Sequence, residues 1–227
     1  MAHEKTIAVI QARMGSSRFP GKVMADIAGK PMLQRVVERV SMANLDMIVV
    51  ATTTLAQDDC ILDLCDKNHW EWWAGSVNDV LSRYCSVARA YQAKYVVRIT
   101  ADCPLVDSRI ITLLVSMVLW GDYQYGSNVF PKRTFPRGLD VEVIEAQTLY
   151  HLASLPLEPS HKEHVTTYIR ENPDEFRIGN LCHHANLSGL NWSVDHEHDL
   201  EFPRAVYSTL GGSFFHWVDA LSLSEVV

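Results

Sequence analysis

Thr6-Ile7-Ala8-Val9-Ile10-Gln11-Ala12-Arg13-Met14-Gly15-Ser16-Ser17-Arg18-Phe19-Pro20-Gly21-Lys22 is the stretch that decides the fold. Its first five residues form an apolar run that predicts a strand buried on both faces. The following twelve predict a loop at that strand's carboxyl end, carrying two glycines, two serines, two arginines and a lysine. Glycine lets backbone N–H groups approach an anion closely, and the cations neutralise its charge, so the loop is suited to hold phosphate. It is not a Walker A loop: Gly15 and Gly21 have the wrong spacing, and Lys22 is followed by Val23. Nor does it contain G-x-G-x-x-G.

Outward from this loop, strand and helix patterns alternate. Residues 31–42 predict an amphipathic helix with Pro31 in its first turn, and 57–68, 79–92 and 107–119 predict three more. Asn78 or Asp79 suits the cap of the third helix, and Asp107 or Ser108 that of the fourth. Strands are expected at 46–51, 70–74 and 95–99. The βαβα order predicts a Rossmann-like α/β fold, a mostly parallel sheet with helices on both faces. The pattern changes near Tyr123. Residues 123–144 predict strands and turns, 145–155 and 160–171 helices, 175–195 short strands and loops, and 197–210 a helix ended by Gly211-Gly212. The expectation is one domain over 1–227: a nucleotide half at 1–125, an inserted α+β lobe for acceptor and dimer contacts at 125–190, and a return to the core at 191–227.

The chain has 227 residues, 48% of them hydrophobic, and a formal net charge of −7. This balance argues against a general nucleic-acid binder, which would carry a basic face. Five cysteines form no C-x-x-C pair and read as small buried residues in a reducing compartment. The longest apolar stretch, 110–120, is too short to span a bilayer, which needs roughly 20 residues. A soluble cytoplasmic protein without membrane or nucleic-acid partners is expected.

Chemistry-bearing residues recur at predicted strand ends. Asp102 follows the strand at 95–99, and a carboxylate there lies in the crevice where open α/β sheets bind ligands. Magnesium takes one or two carboxylates together with phosphate oxygens and water, which makes Asp102 the first metal ligand expected. Asp195 ends the short run Trp192-Ser193-Val194 and is the second, though it also suits a helix cap. Arg133, Arg137, Asp140 and Glu142 cluster around Pro136-Arg137-Gly138. The alternation Asp140-Val141-Glu142-Val143 predicts a half-buried strand whose polar face points to an acceptor site, with Arg137 the fork for a carboxylate. Arg83 reads either as a ligand contact or as an ion-pair residue on a helix surface.

The segment AVIQARMGSSRFPGKVMADIAGKPML resembles the N-terminal signature of the sugar-activating cytidylyltransferases. That family includes the CMP-Kdo and CMP-sialate synthetases and the spore-coat polysaccharide biosynthesis protein F group. The resemblance to the last group returns at GSVNDVLSRY (75–84), VVRITADCPLVD (96–107), FPRGLDVEV (135–143), KEHVTTYI (162–169) and NWSVDHEHDLE (191–201). It implies a glycosyltransferase-A-like fold, CTP and an anionic sugar as substrates, Mg2+ as cofactor, pyrophosphate as product, and a homodimer with apolar patterning at 141–155. It further implies Arg13 and Lys22 as catalytic phosphate contacts, with Ala12, Met14, Gly15 and Ser16 beside them. Asp102 and Asp195 are implied as the metal site, Gly75, Ser76 and Asp79 as neighbours of base and ribose, and His164 as an acceptor contact. In the family a threonine or serine and a proline more often follow the late aspartate, where this chain has His196-Glu197.

Other chemistries lack a pattern. Among ten histidines there is no H-E-x-x-H, and no G-x-S-x-G occurs. The alternatives left open are a nucleotidyltransferase for another base or a phosphorylated acceptor, and a silent nucleotide-sugar binding protein. The second would lack a loop cation or a metal carboxylate, and all four residues are present.

Overall fold

The computed structural model describes residues 4–224. In chain order the strands are β1 (Thr6–Gln11), β2 (Asp26–Ile27), β3 (Lys30–Pro31), β4 (Met47–Thr53), β5 (Glu71–Gly75), β6 (Tyr95–Thr100), β7 (Tyr125–Ser127), β8 (Glu142–Glu145) and β9 (Ile178–Asn180). The helices are α1 (Met32–Val40), α2 (Asp59–Asn68), α3 (Val80–Ala90), α4 (Ser108–Trp120), α5 (Ala146–Ser154), α6 (Pro159–Glu163), α7 (Thr167–Glu171), α8 (Glu201–Leu210) and α9 (Trp217–Ser224).

Seven strands make one sheet in the order β5-β4-β1-β6-β8-β7-β9. The first four are parallel, β8 runs antiparallel to β6 and to β7, and β9 is parallel to β7. β1 is central, and Ile7 to Ile10 are wholly buried. Period two explains why every residue of the run is apolar. Ala8 and Ile10 face a core shared with α1, α2, α4, α8 and α9, while Ile7 and Val9 face one shared with α3 and α5. Asp79 caps α3 by accepting from Ser82 N (2.8 Å), and Asp107 caps α4 by accepting from Arg109 N (2.9 Å), both as expected. The Rossmann-like α/β fold follows, with residues 125–190 adding three short strands and helices α5 to α7 to the same sheet.

Four expectations are corrected. Pro31 stands at the cap of α1, in extended backbone, outside the first turn. The helix expected at 160–171 is two short ones, because His164 leaves the helical region (φ −106°, ψ 61°). The strand around Glu142 is buried on both faces: Val141 and Val143 are fully covered and Glu142 is 2% exposed. The apolar residues of 141–155 that were expected to form a dimer face, among them Ile144, Leu149 and Leu152, instead fill the chain's own core against α3.

Candidate active site

Three remote segments meet at the carboxyl edge of β1 and β6. Gly21 takes a left-handed conformation (φ 74°), which turns the loop into a short 3-10 turn at Lys22–Met24 and buries the stem of Lys22. The Lys22 Nζ ammonium donates to Asp102 Oδ2 (2.8 Å), to the Val194 carbonyl (2.7 Å) and to Asp195 Oδ1 (3.2 Å). Those are all three donors an ammonium has. Val194 N donates to the Asp102 carbonyl (2.9 Å), so the segment carrying Asp195 lies against the end of β6. Arg18 Nη2 donates to Asp195 Oδ1 as well (2.8 Å). The cap beyond Asp195 is made by Asp199, which accepts from the backbone of Asp195 and His196 and leaves the Asp195 carboxylate to the site.

The loop is braced from below. Asp58 accepts from Met14 N (2.7 Å) and from the Thr53 hydroxyl. Met14 O accepts from Ser16 N and Gly21 N (2.9 Å each), and Ala12 N donates to Ala51 O. The N–H groups of Arg13, Gly15, Ser17 and Arg18 have no partner among the described residues, so they are the loop's open donors. A cavity of about 300 Å³ opens here, lined by Arg13, Ser16, Arg18, Lys22, Asp102 and Asp195, with Gln11 and His164 also at its wall. Three cations face two carboxylates in it.

Beyond Thr100, which lines both, is a smaller cavity of about 100 Å³ walled by Arg98, Arg133, Asp140, Glu142 and Arg170. Arg133 forks onto Asp140 through two bonds (2.6 and 2.7 Å). Glu142 accepts from Arg98 (2.6 Å), Arg170 (2.6 Å) and the Tyr125 hydroxyl. Burial alone would raise the Glu142 carboxyl, but the two guanidinium groups and the tyrosine hold it down to about 2. Burial likewise opposes, and Lys22 outweighs, in the Asp102 carboxyl, which lies below the usual carboxylate range.

Asp102 and Asp195 pass a chemical test for a shared divalent cation. They are two hard-oxygen donors on one wall of the cavity, and no group of three or more His, Cys, Asp or Glu converges among the described residues. That is a donor set for a cation that takes its other ligands from phosphate and water, as magnesium does, rather than for a closed protein cage.

The cytidylyltransferase family model matches residues 7–208. The chain belongs to the cytidylyltransferase family. This cytidylyltransferase is 30% identical over 211 residues to the spore coat polysaccharide biosynthesis protein SpsF of Bacillus subtilis, covering 89% of the chain and 86% of that protein. It is 37% identical over 116 residues to a 3-deoxy-manno-octulosonate cytidylyltransferase of Trichlorobacter lovleyi, half of this chain and 44% of that one. Its fold superposes on a cytidylyltransferase structure from Leptospira borgpetersenii with a TM-score of 0.94 at 32% identity, covering 98% and 94% of the two chains. The enzyme is a nucleotidyltransferase.

The larger cavity brings together Arg13, Ser16, Lys22, Asp102, Asp195 and His164, all singled out in the sequence. Ala12 and Met14 spend their N–H groups within the fold. Gly75, Ser76 and Asp79 lie off this cavity at the β5 edge, where Ser76 Oγ accepts from Asp79 N (3.1 Å). Arg137 is exposed and lines neither cavity; its backbone pairs with Leu190 and Trp192, and Arg133 takes the inward position. Asp140 and Glu142 reach the second cavity already committed to arginines. Sequence reasoning missed Arg18 as a partner of Asp195, and Arg98 and Arg170 as walls. It also admitted Arg83 to a helix surface, whereas Arg83 is 1% exposed. Val80, Tyr84 and Val87 mark the buried stripe of α3, and Arg83 lies on it at helical spacing, which was the signal available.

Proposed function

We propose that the enzyme transfers CMP from CTP to an acidic sugar or related acceptor, with release of pyrophosphate and dependence on Mg2+, in surface polysaccharide biosynthesis. The observation that carries this reading is the Lys22 ammonium shared between Asp102 and Asp195 under an open-donor loop. With all three donors engaged, Lys22 reaches a phosphate only by releasing Asp102, Asp195 or the Val194 carbonyl, so nucleotide entry loosens the clasp on the carboxylate pair. A magnesium ion on these carboxylates supplies charge neutralisation at the phosphates and a lower pKa for an attacking hydroxyl. The acceptor oxygen forms a bond to the α-phosphorus in line, and the bond to the leaving pyrophosphate breaks. Arg13, Arg18 and Lys22 stabilise the charge that grows on pyrophosphate. His164 and the Thr100 wall position the acceptor beside this axis.

The smaller cavity supports an anionic acceptor: three guanidinium groups outnumber two carboxylates, leaving one positive charge. Relatives named as 3-deoxy-manno-octulosonate cytidylyltransferases act on a sugar acid, and SpsF is named for polysaccharide biosynthesis, which supports the same class here. A phosphorylated acceptor is the second reading, because the same cavity suits a phosphate. The test is pyrophosphate release from CTP, UTP, GTP and ATP, with and without Mg2+, against panels of sugar acids and sugar phosphates. Rapid release requiring CTP, Mg2+ and a sugar acid is expected. Release from another nucleotide, or with sugar phosphates alone, moves the reading to the alternative.

A further inference from the structure

The outer face of α4 is apolar and carries no partner among the described residues. Ile110, Ile111, Leu114, Val115 and Val118 fix the helix to the core. Arg109, Leu113, Ser116 and Trp120 recur at i, i+4, i+7 and i+11, so they form one outward stripe. Leu113 is 59% exposed and Trp120 89%. The hydroxyls within the stripe are spent on the helix itself. Thr112 Oγ1 donates to the Ser108 carbonyl and Ser116 Oγ to that of Thr112 (2.9 Å each), which leaves mostly carbon facing outward. An exposed tryptophan within a contiguous apolar stripe marks an interaction surface. Among the described residues, no large hydrophobic side chain of 125–190 is comparably exposed.

Two hollows flank the stripe and share Thr112. One, of about 310 Å³, lies at the amino-terminal half of α4 between Met42, Arg109 and Leu113. The other, of about 650 Å³, lies at the carboxyl-terminal half, where Leu45, Tyr95, Leu119 and Trp120 are its apolar wall. The two ends differ in charge. Arg109 is the only charged side chain lining the first hollow, and its guanidinium has no partner among the described residues. Glu4, Asp46 and Asp122 line the second against Lys94 alone. Arg177 stands 3.3 Å from Asp122, so this end keeps one negative charge in excess.

We infer that α4 is the contact face of a symmetric homodimer, in which the α4 helices of two copies cross antiparallel on a two-fold axis. A two-fold contact requires a surface that complements itself: where residue i meets residue j of the second copy, j meets i in return. The α4 stripe meets that requirement, with a projecting tryptophan and a negative end opposite a hollow and a positive end. Arg109 and Trp120 are separated by about 16 Å along the helix. A two-fold axis midway between them, beside Leu113 and Ser116, places each Trp120 in the hollow between Met42 and Leu113 of the other copy. It also sets each Arg109 against the Trp120 ring and Asp122 of the other copy, a cation over an aromatic face beside a carboxylate. The small side chains of Thr112 and Ser116 at the crossing let the helices approach closely. No residue lining these hollows lines either cavity of the catalytic cleft, so the dimer leaves both cavities open.

The test is sedimentation velocity of the full chain from about 1 to 100 µM, the range in which interfaces of modest size dissociate. The wild type should be dimeric toward the upper end. Trp120→Ala should weaken the dimer by about thirtyfold or more, as for a central interface tryptophan. Arg109→Asp and Asp122→Lys should each weaken it alone, because each opposes like charges at both symmetric contacts. Their one-to-one mixture should assemble more tightly than either variant by itself, since both contacts then pair opposite charges. The kcat per subunit should stay at the wild-type value in all three variants, because the cleft is untouched. Asp122 stands at φ 50°, where lysine is strained, so Trp120→Ala carries the test if the lysine variant does not fold. A wild type that is monomeric throughout overturns the proposal. A dimer of unchanged affinity in Trp120→Ala overturns it by placing the interface elsewhere. Two folded charge variants that assemble no better mixed than separate overturn the antiparallel crossing and the proposal with it.

Discussion

At the scale of the residue, two side chains concentrate the electrostatics. Lys22 compensates Asp102 and Asp195 at once, so Lys22→Ala should cut turnover by about a hundredfold or more. Lys22→Arg should recover little of it, since a planar fork cannot replace a compact ammonium at the same three acceptors. The alanine variant should also bind Mn2+ more tightly than the wild type when no nucleotide is present, by calorimetry, because its carboxylates have lost their counter-ion. Wild-type kinetics in the alanine variant would make Lys22 a solvated charge. Glu142 is the structural counterpart. Its folded pKa, about 2, lies below the ordinary 4.5, so its contribution is complete above 4.5 and is lost as pH falls through 2. Glu142→Gln should therefore cost about 3 kcal/mol at pH 7, with the partly buried Arg98 and Arg170 left without their carboxylate. In denaturant titrations the gap from wild type should narrow between pH 4.5 and 2; a constant gap would contradict the assignment. The sequence made Asp102 and Lys22 legible, because a carboxylate at a strand end and a lysine after a glycine turn have few structural alternatives. It did not separate Arg133 from Arg137. The two lie four residues apart in a loop, and only the pairing of Arg137 with the 190–192 backbone turns one inward and the other out.

At the scale of the element, β1, β4 and β6 were readable because branched residues buried on both faces leave no polar alternative. β7 and β9, of three residues each, carry too few positions for a period to register. The element that positions Asp195 is not a regular strand at all. Residues 137 and 190–192 pair through Arg137 N to Leu190 O (3.0 Å) and Trp192 N to Arg137 O (2.8 Å). Gly138, at φ 92°, makes this approach possible, since a Cβ there would lie 2.6 Å from Ser193 N and from the Trp192 carbonyl carbon. Backbone cannot yield as a side-chain tip can. Gly138→Ala should cost about 2 to 4 kcal/mol from strain and overpacking. It should also lower kcat in the fraction that folds, by moving Asp195 away from Lys22. A variant equal to wild type in thermal unfolding and kcat would show that this pairing does not set the carboxylate.

At the scale of the whole molecule, the chain is closed by groups far apart in sequence. Arg39 of α1 donates to the Val106, Ser213 and Phe215 carbonyls, with its ring contact on Phe215 at 4.1 Å, and lies 3.5 Å from buried Asp107. Asp107 in turn accepts from Trp217 N (2.9 Å). Arg39→Ala should therefore destabilise by about 3 to 5 kcal/mol, because it strands a buried carboxylate and four carbonyls, those of Leu105, Val106, Ser213 and Phe215, together. Hydrogen exchange should show α9 losing protection first; protection unchanged in α9 would mean that other packing holds the terminus. None of this closure was legible beforehand, since no local pattern tells which carbonyls a buried guanidinium will find. The clasp of Lys22 on Asp195 spans 173 positions, and that separation has a consequence for synthesis. A nascent chain exposes Lys22 and then Asp102 well before Asp195 is made, so the carboxylate pair assembles around Lys22 only after residue 195 has emerged.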